Sequence, residues 1–579
     1  MWSFPANGQG LDEVLARTGS SVITAEEYIK RFELSPQLSA YGKGNTRIQF
    51  LYSLIAEKLL SEEAKERGYD SSEVFVRAIR TVRGMIARDE LYRREILANV
   101  LVPEEEIGTG VERARRERLI SFAAFQREED ARFVRSMIPP GRDLARVDID
   151  SSMECVRDTA TLIWGDADPV MESVVYALRP QEISTVTRVR GSFYIIQMLR
   201  ERPAGYFTSL PPSELRQFVE QTLRKRAERS LMDSLLDKLM SNVRASAKGD
   251  AFRILARGIS KALDTQSSGA PHALTSTSIR EVRTHCAGSL ADTLVVIDTL
   301  VWTIGEVIGL LPGMDLRFEG SNVETVYRTL DVHLGAWIHQ HVVSREALRR
   351  GLDTLGWNKL KLQVWSEGIL AGFMKDEIRN VVGVSEAEVI RYLARSKDSV
   401  DIPQIRLVEI WTGTLISMQN AIDDLDSGIS FDSAAARWSE KPDGENRFFP
   451  VTERWPLGEL AWDMNVGERG GPLLVDGRYV IFEVREKRRG PSIPGPDFEK
   501  ARNELLNMKK RRALDQFLAG VAREKGVSVF ADRVRELPVS PIPMMAFRIL
   551  GFGGRMVEFP FVESLFQWAG EDRISDPVP

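Results

Sequence analysis

The chain has 579 residues, of which 43% are hydrophobic and 28% are charged, and its formal net charge is −5. This length indicates several domains, and the composition is ordinary for a globular protein. The negative charge gives no electrostatic reason to expect a nucleic-acid partner. Cys155 and Cys286 are too few for a disulfide framework, so free thiols are expected.

No stretch of about 18 apolar residues occurs, so no membrane-spanning helix is predicted. Residues 1–6 (MWSFPA) lack both the basic n-region and the apolar h-region of a signal peptide. The protein is therefore either cytoplasmic or numbered from a point after a removed signal, and the sequence leaves both open.

The front of the chain has a helical pattern. Thr24 opens a capping box, in which its hydroxyl can accept a hydrogen bond from a free amide of the first turn. Apolar residues at helical spacing predict a helix over 48–67, which Gly68 ends. A further helix is predicted over 71–98, and Pro103 opens the next one, with acidic residues at its positive end.

Strands and long helices follow. Residues 119–125 are predicted as a strand, 128–137 as a helix, and 213–243 as a long amphipathic helix. In the second half of the chain, residues 404–411 are predicted as a strand and 498–521 as the counterpart of the long helix.

Residues 455–485 repeat residues 169–199 without a gap, so that Glu468 corresponds to Glu182. Each copy contains a short amphipathic helix, a turn, a strand, a glycine-centred hairpin turn and a closing apolar strand.

The front helices are repeated as well, because residues 338–353 (IHQHVVSREALRRGLD) match residues 55–70 (IAEKLLSEEAKERGYD) at seven positions. The pattern indicates a tandem duplication of front helices, a mixed domain and a trailing helix.

Motifs in both copies resemble the distal half of a parvulin-type (rotamase) domain of the SurA and PpiC group. The matching residues are Tyr176-Ala177-Leu178, Glu182-Ile183-Ser184 and Gly191-Ser192-Phe193 in the first copy, and Leu460, Trp462, Val466-Gly467-Glu468, Gly471-Pro472 and Gly477-Arg478-Tyr479 in the second. The resemblance implies a multidomain α+β fold. It would combine helical blocks like the SurA N-terminal part with two four-stranded antiparallel sheets, near 118–202 and 404–488.

Eight segments are predicted on this basis. They are a helical chaperone-like block (1–110), a first parvulin-like domain (111–203), its trailing helix (204–263), a linker (264–290), a second helical block (291–400), a second parvulin-like domain (401–489), its trailing helix (490–530) and a C-terminal tail (531–579).

A prolyl isomerase must lower a rotational barrier of roughly 20 kcal/mol. The resembled family does so with an apolar proline pocket and a polar cluster that two histidines order, one on the first and one on the last strand. All five histidines of this chain lie between the two parvulin-like regions, and Tyr194 and Val480 occupy the last-strand positions. Val480 cannot hydrogen-bond, so the second copy is expected to be nearly inert. Ser121 and Tyr194 are the candidate catalytic residues of the first copy.

The resemblance also implies substrate-binding residues, with a core role as the alternative. They are Met171, Tyr176 and Phe193 in the first copy, and Leu457, Trp462 and Tyr479 in the second. No cofactor is expected. No metal site is expected either, because His339 and His341 are two apart on a predicted helix and face different sides.

The last residues, 538–579, have no counterpart in the first repeat and are rich in methionine and aromatic residues. The favoured interpretation is a strap packed on the body of the protein. The alternative is a client or partner surface that uses adaptable methionine and aromatic contacts.

The resemblance implies an ATP-independent chaperone or foldase. It would bind unfolded exported polypeptides, with outer-membrane proteins as candidate clients, and its compartment would be the periplasm, which requires a signal peptide missing from this numbering. One alternative is an active peptidyl-prolyl isomerase that uses Ser121 and Tyr194. The other is a structural subunit that docks a fixed partner through its tail.

Overall fold

The computed structural model describes residues 11–34, 46–139, 142–150, 153–264, 272–311, 316–395, 402–441, 447–451, 453–454, 457–475, 478–490, 498–539 and 547–570. Gly477 and residues 455–456 of the repeat, residues 265–271 of the predicted linker, and residues 540–546 and 571–579 of the tail lie outside these ranges. The described chain combines many helices with small antiparallel sheets, which confirms the predicted α+β class.

The strands are short except at the two larger sheets. They are β1 Val14–Thr18, β2 Ser21–Thr24, β3 Arg116–Phe125, β4 Cys155–Leu162, β5 Thr187–Val189, β6 Ser192–Pro203, β7 Ala245–Ala247, β8 His272–Ala273, β9 Thr293–Ile297, β10 Leu300–Thr303, β11 Arg317–Phe318, β12 Ile402–Thr412, β13 Phe449–Pro450, β14 Arg469–Val475, β15 Arg478–Gly490, β16 Val527–Val529, β17 Phe547–Ile549 and β18 Arg555–Val557.

The helices make up most of the rest. They are α1 Ala25–Leu34, α2 Thr46–Glu66, α3 Glu73–Glu95, α4 Glu104–Ala114, α5 Glu128–Ser136, α6 Pro169–Ala177, α7 Gly205–Ser209, α8 Pro212–Met240, α9 Gly249–Asp264, α10 Ser276–His285, α11 Ile304–Leu310, α12 Val323–Arg349, α13 Trp357–Asn380, α14 Glu386–Arg395, α15 Leu415–Asp426, α16 Phe431–Trp438, α17 Leu457–Asp463, α18 Phe498–Lys525 and α19 Ala531–Glu536. None of these helices combines the length and the apolar character that crossing a bilayer requires.

The chain forms two compact units. One comprises Met1–Leu91 together with Leu239–Pro579, and the other is Tyr92–Lys238. The eight segments predicted from the sequence are finer than this division, and their boundaries stay a prediction.

Each unit contains one four-stranded antiparallel sheet. The strand order is β4-β3-β6-β5 in the unit Tyr92–Lys238 and β13-β12-β15-β14 in the other unit. Numbered within each sheet, both orders read 2-1-4-3. The predicted pair of matching sheets is therefore present.

Two three-stranded sheets, which the sequence analysis did not anticipate, connect distant parts of the larger unit. Hairpin β1–β2 receives β16, the strand that follows the trailing helix α18. Hairpin β9–β10 receives β7, the strand that follows the trailing helix α8. Each hairpin thus pairs with the strand that ends the other repeat.

The trailing helix α18 folds back on the front helices. Its residues Leu514 and Leu518 lie in one core with Leu51 and Ile55 of α2, to which α13 also contributes. Leu51 and Ile55 are fully buried, so the contact between α18 and α2 is part of the interior of the larger unit.

Helix α8 has different neighbours. It packs through Leu215 and Val219 in a core that contains Ile107 of α4. The first trailing helix therefore lies on the helix that directly precedes its own sheet.

Residues 272–290, predicted as part of a linker, are folded, which corrects that prediction. They contain α10, whose Thr275 and Ser278 form a capping box. Val282 and Cys286 are buried in a core with α9, α11 and α12. The polar composition ahead of the helix hid its short apolar face from the sequence analysis.

Residues 547–570 of the tail pack on the body of the larger unit, as the strap interpretation expects. Phe559 is fully buried, and Trp568 meets Tyr52 of α2 at 5.7 Å between ring centroids. These contacts place aromatic side chains of the tail in the interior.

An ion cluster adds to the attachment of the tail. Glu563 pairs with Lys375 at 2.7 Å and with Arg379 at 2.5 Å. Burial opposes the charge of Glu563, but the two cations outweigh it and lower the pKa of this carboxyl to about 2. The tail is therefore held by charge as well as by apolar contact.

The pKa of a second carboxyl, that of Glu453, is shifted in the opposite direction. Glu453, which follows β13, lies near Glu504 of α18 and pairs with Lys500 at 3.0 Å. The Tyr392 hydroxyl of α14 donates to Glu504 at 3.1 Å. Burial, followed by repulsion from Glu504, raises the pKa of Glu453 to about 7.

We expect Glu453→Gln to become increasingly stabilising, relative to the unchanged protein, as the pH rises from about 5 to about 8. A carboxyl whose folded-state pKa is raised keeps its proton in the folded state while the unfolded chain has lost it. Stability therefore falls as pH rises through the window from 4.5 to about 7. The variant lacks this ionisable carboxyl, so at about pH 8 it should avoid a loss in the free energy of unfolding on the order of 2 kcal/mol.

Thermal unfolding of both proteins at the two ends of this pH range measures the effect. Glu499→Gln, on the exposed first turn of the same helix α18, is the matched control and should show no such pH dependence. A melting-temperature difference for Glu453→Gln that does not change with pH would contradict the expectation.

Candidate functional site

The register of β3 with β6 decides which side chains of the first sheet share a face. Ala124 is opposite Tyr194, Phe122 is opposite Ile196, and Ser121 is opposite Gln197. Because side chains alternate along a strand, Phe122 and Tyr194 lie on one face and Ser121 lies on the other.

The face that carries Phe122 and Tyr194 is incompletely covered. Helix α6 packs on it, and the Phe122 and Tyr194 rings lie 5.9 Å apart. Phe122, Ala124, Met171 and Tyr194 remain partly exposed, and Val156, which pairs with Ala124 across to β4, is 66% exposed. We call these five residues the open face. It brings the predicted residues Met171 and Tyr194 together.

Ser121 and Phe193 lie on the opposite face, which is packed by α5. Ser121 is only 4% exposed. Its strand partner Gln197 is also buried and accepts a hydrogen bond from the Leu144 amide at 2.8 Å. The prediction that Ser121 and Tyr194 act together is therefore wrong, since Ser121 lies on the covered side of the sheet. Phe193 is partly buried and packs against the core of that opposite face.

Tyr176 is held at the end of α6 by polar contacts. Its hydroxyl donates to the Arg116 carbonyl at 2.8 Å, and the Arg118 guanidinium lies 4.7 Å from its ring centroid. Burial is the main cause that raises its pKa to about 12. Its hydroxyl is committed to the protein, and its predicted role in substrate binding stays a prediction.

The open face offers little for acid–base chemistry. The Tyr194 hydroxyl has no hydrogen-bond partner within the described residues. Asp158, which pairs with Phe122 across β3 and β4, adds one exposed carboxylate at the edge. The surface can take apolar side chains, but its described residues form no ordered cluster of donors aimed at a twisting amide.

The corresponding face of the second sheet is filled by the protein itself. Glu409 pairs with Phe482, as Phe122 pairs with Ile196, and it is 2% exposed. Its carboxylate binds Arg454 at 2.5 Å and accepts a hydrogen bond from Trp411 Nε1 at 2.6 Å. An ion pair of the chain thus occupies the place that is open in the first sheet.

The three residues predicted to bind substrate in the second copy have different surroundings. Leu457 is 1% exposed, and Trp462 is a partly buried member of the same core. Tyr479 lies on the opposite face, where its ring meets Phe561 of the tail at 5.0 Å. Leu457 is therefore a core residue, whereas a role of the partly buried Trp462 and Tyr479 in substrate binding stays a prediction.

The sequence analysis missed Phe122, Ala124 and Val156. The alternation of residues in β4 could have indicated a strand there, but only the register reveals which residues of β3 and β4 share a face with Tyr194. It also missed the Glu409–Arg454 pair, because the partners are far apart in the sequence.

No protein-family model matches the chain, and no curated protein matches it. Solved structures align with parts of it. A SurA-like chaperone from a study of PEB4 and Cj1289 of Campylobacter jejuni gives 16% identity, covers 34% of this chain and 82% of that one, and has a TM-score of 0.16. The peptidylprolyl isomerase PrsA of Bacillus anthracis is 15% identical, with 32% of this chain and 96% of that one covered and a TM-score of 0.16. The foldase protein PrsA of Streptococcus pneumoniae is 13% identical, with 38% of this chain and 89% of that one covered and a TM-score of 0.17. At these values the likenesses carry no argument about activity.

We expect Glu409→Leu alone to loosen the second sheet, because it removes the buried carboxylate that binds Arg454 at 2.5 Å. The loss of local stability should be about 2–3 kcal/mol, below the full cost of an orphaned buried charge because Arg454 retains some contact with water. Hydrogen exchange of β12 and β15 amides measures it.

The double variant Glu409→Leu with Arg454→Leu is the matched control. It removes both charges and should recover most of the protection in β12 and β15. Equal loss of protection in the single and the double variant would show that the pair does not hold this face.

Proposed function

We propose that the protein is an ATP-independent chaperone or foldase that binds unfolded polypeptides on the open face of its first parvulin-like sheet. The observation that carries the proposal is the set of partly exposed apolar side chains Phe122, Val156, Met171 and Tyr194 on one sheet face. Contiguous exposed apolar surface marks interaction sites in soluble proteins.

The energetics favour weak binding of many different client segments. Burying one apolar side chain of a client contributes about 1.5–3 kcal/mol, before the cost of ordering the client chain. A shallow face with few fixed polar groups accepts many apolar or aromatic segments, because it imposes few hydrogen-bonding requirements. Such binding needs no nucleotide.

Isomerase activity is proposed to be weak or lost. The barrier is roughly 20 kcal/mol, and lowering it requires polar groups placed for the twisted amide. The alternative of an active isomerase has one observation in its favour, which is the Tyr194 hydroxyl on the open face.

The second sheet is proposed to serve stability, since Glu409 and Arg454 fill its corresponding face. The alternative of a fixed partner docked through the tail has less support, because Phe559 and Trp568 are buried within the larger unit. By the sequence resemblance we place the protein in the periplasm, with exported polypeptides and outer-membrane proteins as candidate clients. We also propose that the two repeats arose by duplication.

We expect Val156→Asp to weaken the binding of a permanently unfolded polypeptide about tenfold, because it places a charge in the apolar contact. Reduced, carboxymethylated α-lactalbumin is a suitable probe, and fluorescence anisotropy of the labelled probe gives the Kd. Val156 is 66% exposed, so the substitution should not disturb the fold.

Val74→Asp is the matched control, since Val74 is 65% exposed and lies in the other unit on α3. It should leave the Kd unchanged. Equal binding by wild type, Val156→Asp and Val74→Asp would place client binding elsewhere and overturn the proposal.

We expect the rate of proline isomerisation in a short test peptide to be close to the uncatalysed rate, and Tyr194→Phe to remove whatever catalysis is left. A protease-coupled assay measures both. Strong catalysis that is lost in Tyr194→Phe would favour the active isomerase, whereas strong catalysis that survives would mean that another group acts.

A further inference from the structure

A second concave surface lies within the unit Tyr92–Lys238, on another side of α6 from the open face. It is a cleft of about 290 Å³ between α4, α6 and α8. Helix α6 contributes Pro169, Glu172 and Ser173 to this cleft, whereas it contributes Met171 to the open face.

The apolar wall of the cleft is closely packed. Trp164 lies against Phe218 of α8 at 6.4 Å between ring centroids, and Leu223 lines the cleft beside it. Gly110 lets α4 approach this wall, because a Cβ there would lie 2.5 Å from a Val219 methyl and 3.1 Å from the Trp164 ring. A side chain with an aliphatic stem can lie along such a wall.

The two cations that line the cleft already have partners in the protein. Arg226 pairs with Glu172 at 2.9 Å and lies 5.1 Å from the Trp164 ring centroid. The Arg113 guanidinium lies 5.7 Å from the Tyr176 ring centroid. An anionic ligand would have to compete with these contacts.

Two of the three acidic residues that line the cleft are less well compensated. Glu104 outside it is paired with Arg216 at 2.6 Å, but Glu105 and Glu106, which line it, form no ion pair within the described residues.

Glu172 also lines the cleft, and it is 2% exposed. Its Oε1 accepts hydrogen bonds from the Gly165 amide at 2.7 Å and from the Arg226 guanidinium at 2.9 Å. Burial raises the pKa of Glu172 and Arg226 opposes that shift, so this carboxyl is already paired within the protein.

We propose that this cleft binds the side chain of a lysine or arginine of an extended polypeptide. The aliphatic stem lies along Leu223 and the small part of Trp164 that reaches the cleft, and the cationic head meets Glu105 and Glu106. The inference rests on the proposed function for the polypeptide itself. It adds a selectivity for basic residues, so that a client is held by apolar residues at the open face and by a cation at the cleft.

The indole resonance of Trp164 provides a direct test in the full-length protein. Trp164 is the one tryptophan between residues 92 and 238, and Trp164→Phe assigns its signal in a ¹⁵N-tryptophan-labelled sample. The probe is N-acetyl-arginine amide, and N-acetyl-glutamine amide is the neutral control. We expect a saturable shift of the Trp164 signal with the arginine amide alone, weakened by added salt.

The double variant Glu105→Gln with Glu106→Gln should weaken the binding of the arginine amide about tenfold or more, because it removes both carboxylates that meet the cation. Glu112→Gln, an exposed glutamate of the same helix that does not line the cleft, should leave it unchanged. Absence of a shift, an equal shift with the glutamine amide, or unchanged binding in the double variant would overturn the inference.

The binding of the unfolded polypeptide separates this inference from the proposed function. If the polypeptide binds and depends on Val156 while the arginine amide does not shift Trp164, the cleft fails and the open face stands. If the arginine amide binds as expected but the polypeptide does not, the proposed chaperone function fails, and with it the statement that the cation belongs to a client chain.

Discussion

The pairing of β3 with β6 is the constraint on which the functional interpretation depends. A shift in register occurs between Leu119 and Ile120, and from Ile120 onward the two strands pair without interruption. A slip of one residue would exchange the two faces of the sheet. The observed register sends Phe122 and Tyr194 toward α6 and an incompletely covered surface, and it sends Ser121 into the core beneath α5. The chemistry available to a bound peptide follows from that alternation.

The two four-stranded sheets share a strand order but differ in what covers the equivalent face. In the first sheet, small and apolar residues leave the surface accessible. In the second, Glu409, Arg454 and Trp411 form a hydrogen-bonded set whose charges are largely removed from water. Removing such a pair from water costs free energy, so the pair persists only where each charge is balanced by its partner and by hydrogen bonds. The same scaffold thus supports an accessible face in one copy and a closed core in the other.

Local sequence patterns predicted much of the fold. The helix stop at Gly68 is present, where a φ of 78° suits glycine, and Gly351 ends the corresponding helix at a φ of 69°. Both four-stranded sheets were expected from the resemblance to parvulin-type domains. The grouping of site residues was predicted less well, because the face on which Ser121 or Phe193 lies depends on strand register. The helix α10 was missed because its apolar face is short, and the Arg454 contact because its partner lies elsewhere in the chain.

Each repeat supplies the third strand of the small sheet that begins the other repeat. This arrangement has a consequence during synthesis of the protein. Strand β1 is near the start of the chain, but its partner β16 spans Val527–Val529. At a synthesis rate of roughly 5–20 residues per second, the edge of β1 stays unpaired for on the order of half a minute to two minutes. An exposed strand edge invites association with other chains. During its own synthesis, the nascent protein therefore presents the same hazard that it is proposed to suppress in its clients.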